Sequence, residues 1–90
     1  MLKELEDLIK TIRNRKNLPI EKSYTNKLLK DTKLSVAKVR EEIEELIESV
    51  ENNSNKIHES ADVLYHLLVY LEANNIKIED IMKELARRKK

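Results

Sequence analysis

Apolar residues along this chain of 90 residues recur at helical spacing, and no stretch alternates as a half-buried strand would. Leu2, Leu5, Leu8, Ile9 and Ile12 make the apolar face of a first helix, which ends in the basic, proline-containing segment 13–22. A short piece, SYTNKLLKD, follows, with Ser23 placed to cap a helix start. Ser35 is placed to cap a long third helix whose inner face is Val36, Val39, Ile43, Leu46, Ile47 and Val50. The run ENNSN reads as a turn, and a fourth helix ends near EANN. A last helix carries Ile81, Met82 and Leu85 inward and closes on ARRKK, cations suited to a helix C-terminus. Connections are short, so neighbouring helices pack antiparallel. The expected fold is all-α: a single domain over residues 1–90, an antiparallel bundle of four to five helices.

The fourth helix breaks its own pattern. Ile57, Ala61, Leu64, Leu68 and Leu71 form one apolar face, flanked by Val63, Leu67 and Tyr70 on one side and by Tyr65 and Val69 on the other. A helix that is apolar nearly all round belongs in an interior. Yet Glu59, Asp62 and His66 make a narrow polar stripe along it, and ionisable groups in such surroundings need a partner or an ion.

A second acidic stripe precedes it. On the third helix Glu41 and Glu45 lie almost opposite the apolar face, with Glu42 on one flank. Seen alone, such a stripe is a solvated surface. Two helices joined by a short turn lie side by side, however, so the two stripes can converge. Several carboxylates in one groove repel and raise one another's pKa values, and a divalent cation resolves this. All-oxygen ligation suits magnesium or manganese, ions that take phosphate oxygens from a substrate and activate water.

Composition narrows the partners. With 18 basic and 17 acidic residues the chain is not a dedicated nucleic-acid module. There is no cysteine for a disulfide or thiolate site, and no glycine for a phosphate-cradling loop. No signal-peptide or membrane-spanning run is present, so a cytoplasmic location with no membrane partner is expected. A chain this short buries little surface alone, which favours a homodimer or higher homo-oligomer.

The residues EEIEE at 41–45 and ESAD at 59–62, with thirteen residues between Glu45 and Glu59, fit the EExxE…ExxD pattern of the MazG-like all-α nucleoside triphosphate pyrophosphatases. SYTNKLL, KVREE and ADVLYHLLVYL, with Arg15 eight residues before Ser23, resemble the phosphoribosyl-ATP pyrophosphatase family of histidine biosynthesis. IEDIMKELARR resembles that family's last helix, so the likeness runs end to end. The resemblance implies hydrolysis of phosphoribosyl-ATP to phosphoribosyl-AMP and pyrophosphate, magnesium dependence, and a dimer or higher oligomer. It implies Glu41, Glu42, Glu45, Glu59 and Asp62 as the metal set, with Glu41, Glu42 and Glu45 catalytic. Arg15, Ser23, Tyr24, Thr25, Lys27 and Lys38 become substrate contacts. His66 either orients Asp62 or bonds a substrate oxygen. Lys22 and Arg40 stand where the family carries glycine.

Two other readings are open. A house-cleaning nucleoside triphosphate pyrophosphohydrolase would use the same acids; a non-catalytic helical interaction module would leave them as solvated faces.

Overall fold

The computed structural model describes residues 1–18 and 23–89. Five helices occupy them: α1 (Lys3–Asn17), α2 (Tyr24–Lys30), α3 (Thr32–Glu51), α4 (Lys56–Ala73) and α5 (Ile78–Arg88). No strand occurs among the described residues. Residues 19–22, the end of the basic segment after α1, lie outside them.

Local chemistry accounts for the helix ends. Ser23 caps α2, its Oγ accepting from the Asn26 N–H. The third helix starts four residues earlier than the Ser35 expectation. Asp31 Oδ1 accepts from the Leu34 N–H at 3.0 Å, so one residue both ends α2 and caps α3. Ser35 is instead buried inside the helix. The ENNSN turn places Asn53 and Asn55 at positive φ, and Asn75 does the same after α4. Asparagine tolerates the left-handed region better than other residues with a Cβ, so it serves the turns of a chain without glycine.

The turn between α3 and α4 sends α4 back along α3, and these two helices make the most extensive pairing in the molecule. α1 and α2 cover the C-terminal half of α4. Ile12, Leu28, Leu68 and Val69 are the buried apolar residues there, with Leu5, Leu8, Ile9, Leu29, Leu34, Tyr65 and Ile78 packed around them.

The expected inner faces of α3 and α4 need correction. Ile43, Ile47 and Val50 on α3, and Ile57, Ala61 and Leu64 on α4, are exposed, Ile57 to 88%. Glu42, Ser49 and Ser35 are the buried residues of α3. The two helices therefore meet through their polar sides, and their apolar sides turn outward. Met82 and Leu85 of α5 also face out. This helix touches the bundle through its first turn, where Ile78 packs on the core.

Candidate active site

The polar seam of α3 and α4 brings acids together. Oxygen atoms of Glu42, Glu45 and Glu59 lie within 4.8 Å of one another. Glu42 is only 5% exposed, and both Glu42 Oε2 and Glu59 Oε2 are buried with no hydrogen-bond partner. Such atoms are costly to leave bare.

The electrostatics follow from this geometry. Glu45 is pushed up to about 7, first by desolvation, then by the Glu42 charge and by Glu59. Glu41 moves the other way: it is half out of the seam, and the hydrogen bond from Lys38 holds it low. Lys38 Nζ donates to Glu41 Oε2 at 3.0 Å and stands 3.4 Å from Glu42 Oε1, and its own pKa is raised chiefly by Glu41. Lys38 thus pairs with Glu41 and Glu42 at one edge of the cluster, and among the described residues Glu45 and Glu59 have no ion pair.

Asp62 lies one turn along from Glu59. Its carboxylate is 3.3 Å from His58 Nε2, and His58, Glu59 and Asp62 form a second group of donor atoms within 4.8 Å. Of the five expected metal residues, three converge, Asp62 adjoins them through Glu59, and Glu41 sits at the rim. The orphaned carboxylate oxygens and the all-oxygen donor set of the trio fit a hard divalent cation such as magnesium or manganese.

The other expected contacts have mixed placements. Tyr24 is 45% exposed beside the seam, with its pKa raised first by desolvation. Thr25 is hydrogen-bonded to Tyr65, and Ser23 is occupied in capping α2. Lys27 is exposed on α2, while Arg15 contributes its carbonyl to the buried Asn26 side chain. His66 is buried, with both ring nitrogens engaged. Arg40 is exposed within a regular α3, so this position demands no glycine-like backbone; Lys22 lies outside the described residues. Arg13 and Lys16, basic residues of the same N-terminal segment, are spent on α4 and α5.

Two residues escape a sequence reading that sets Tyr65 on an apolar flank and passes over His58. A tyrosine in an otherwise apolar helix signals a partner for its hydroxyl, and His58 stands four residues before Asp62, at side-chain contact distance on a helix.

Comparison with known proteins identifies the family. The sequence profile of the family described as phosphoribosyl-ATP pyrophosphohydrolase matches residues 5–89. The phosphoribosyl-ATP pyrophosphatase of Clostridium acetobutylicum is 47% identical over 87 residues, covering 93% of this chain and 79% of that protein. That of Bacillus cytotoxicus is 42% identical over 91 residues, covering 98% and 85%. The histidine biosynthesis bifunctional protein HisIE of Pyrococcus furiosus is 46% identical over 92 residues; the chain spans 42% of its length.

Proposed function

The chain belongs to the phosphoribosyl-ATP pyrophosphohydrolase family, and we propose that its α3–α4 seam is where phosphoribosyl-ATP is hydrolysed to phosphoribosyl-AMP and pyrophosphate in histidine biosynthesis. The observation that carries this placement is the pair of buried, unpartnered oxygens, Glu42 Oε2 and Glu59 Oε2, in a cluster that also pushes Glu45 up to about 7.

Glu42, Glu45 and Glu59 would hold a magnesium ion, with Asp62 and Glu41 at its edges. When bound, the ion supplies charge neutralisation on phosphate oxygens and acidifies a water. The chain's own part is to aim carboxylates at that water's proton and to keep Lys38 beside the anionic phosphates. Tyr24 at the mouth, with Lys27 on the same short helix, meets the nucleotide.

The single chain leaves this seam backed by an uncovered apolar face, which a second copy would bury. Its radius of gyration of 14.2 Å exceeds the about 12 Å of a compact domain of 90 residues. Ile43, Ile47, Val50, Ile57 and Leu64 are the exposed residues that a homodimer would cover. Among the described residues no helix is long and apolar enough to cross a membrane; a biosynthetic role is in keeping with a cytoplasmic location.

The test supplies phosphoribosyl-ATP and a panel of common nucleoside triphosphates, with and without magnesium, and measures pyrophosphate release. Magnesium-dependent turnover, fastest on phosphoribosyl-ATP, is expected. Faster release from ordinary triphosphates would assign the seam to house-cleaning hydrolysis instead. Absence of both turnover and magnesium binding would leave the acids as a structural surface.

A further inference from the structure

Two consecutive side chains of α4 fasten the first turn of α2. Thr25 Oγ1 and Tyr65 Oη are hydrogen-bonded, and Tyr24 Oη lies 2.9 Å from His66 Nε2. Ring contacts back these bonds. Tyr24 and Tyr65 stack with centroids 6.2 Å apart, and His66 sits edge-on to both. His66 is only 7% exposed, whereas Tyr24 is 45% exposed.

The direction of one bond follows by elimination, and that of the other from the tautomer it leaves in a neutral imidazole. His66 Nδ1 is 2.8 Å from the Asp62 carbonyl oxygen, which carries no hydrogen, so Nδ1–H donates. In the neutral ring Nε2 then holds a lone pair, and the Tyr24 O–H donates to it. The hydroxyl hydrogen is then committed to His66, and the oxygen lone pairs are left to accept. The same histidine bonds the carbonyl of Asp62, tying Tyr24 to the helical turn that carries the acid.

We propose that His66 is a positioning residue that holds the Tyr24 hydroxyl as a hydrogen-bond acceptor for a donor group of the nucleotide, an amino group or a sugar hydroxyl, rather than for its phosphates. This rests on the reading above that Tyr24 meets the substrate. A phosphate oxygen accepts hydrogen bonds and finds no donor at a hydroxyl whose hydrogen is already committed. Tyr24 therefore orients the nucleoside end, and the seam takes the phosphate end.

Steady-state kinetics on Tyr24→Phe, His66→Asn, His66→Gln and the double variant Tyr24→Phe/His66→Asn test this. Asparagine keeps a donor near Nδ1 and loses the acceptor at Nε2; glutamine puts an amide oxygen near Nε2. Tyr24→Phe and His66→Asn should each raise KM about 3- to 10-fold, the scale of one hydrogen bond, with kcat within about twofold of the parent. The double variant should be no worse than Tyr24→Phe, and His66→Gln should recover most of the loss. Inhibition by inorganic pyrophosphate should be unchanged throughout. Additive effects in the double variant, or His66→Gln as impaired as His66→Asn, would reduce His66 to packing and overturn the proposal. A normal KM in Tyr24→Phe would remove Tyr24 from the substrate and the proposal with it, leaving magnesium-dependent turnover at the seam to stand on its own test.

Discussion

Two groups of carboxylates among the described residues behave in opposite ways. Between α1, α4 and α5, Arg13 forms a forked pair with Glu79 and lies 3.8 Å from Glu72, and Glu79 is held down to about 2 by that hydrogen bond. In the α3–α4 seam, Glu42, Glu45 and Glu59 face one another, and Glu45 is pushed up to about 7. The first cluster is complete within the chain and anchors α5. The second carries a surplus of negative charge that Lys38, shared with Glu41, does not match. Matched charge builds structure; unmatched buried charge marks a place for something from outside.

The sharpest way to break this comparison is to remove charge from the seam. Glu45→Gln and Asp62→Asn should each lower pyrophosphate release on the order of 10²- to 10³-fold, with helical circular dichroism unchanged. Near-normal rates in both would make the seam no different in kind from the Arg13 cluster.

Next in size is the effect of magnesium on stability. Magnesium at a hundredfold excess over its Kd should stabilise the fold by about 2.7 kcal/mol, a rise in Tm on the order of 10 °C for a chain of this size. The pH profile of the metal-free protein sharpens the contrast. Glu45 has a folded pKa of about 7 against an ordinary 4.5, so the native state binds the extra proton between these values. Its stabilising contribution is whole below 4.5 and is lost as pH rises through 7. The Tm without metal should fall from pH 5 to pH 8, and Glu45→Gln should flatten that fall. A Tm that rises over this range in parent and variant alike would contradict the crowding of the seam.

The outward apolar face comes third. If a second copy covers it as proposed, the parent should sediment as a dimer and Ile47→Glu as a monomer in analytical ultracentrifugation, since a carboxylate cannot be buried there without a partner. An unchanged sedimentation coefficient would mean that no second copy covers this face.

The smallest effect belongs to the complete cluster. Arg13→Ala should lower Tm by about 5 °C or less at neutral pH, because its pairs are partly exposed. The sign of the pH dependence is opposite to the seam's. Glu79 contributes stability above its ordinary 4.5, lost as pH falls toward 2. Arg13→Ala should remove that acid-side loss, as read by melts from pH 6 to pH 3, and should leave turnover near the parent's.

Much of this was legible in residue order. Helical spacing placed the four longer helices, the Ser23 cap signalled the short one, and the stripe of Glu59, Asp62 and His66 in an apolar helix announced a need for partners. The start of α3 differs from the Ser35 expectation because Asp31 and Ser35 are both capping residue types, and only the Asp31 bond to the Leu34 N–H selects between them. The inner faces of α3 and α4 differ from expectation for a deeper reason. Hydrophobic periodicity identifies which side of a helix must leave water, and it is silent on whether the same chain or another copy covers it.

By itself, then, the order of residues determined the all-α class, the helices, the acidic pairings at helical spacing, and family membership through the EEIEE, ESAD and SYT segments. Only the tertiary structure decided which acids meet, that α3 and α4 join by their polar sides, and that His66 is spent on Tyr24 rather than standing free beside Asp62. Periodicity is a property of one helix. Convergence depends on how two helices are rotated about their axes, and that rotation is set by packing across the whole bundle.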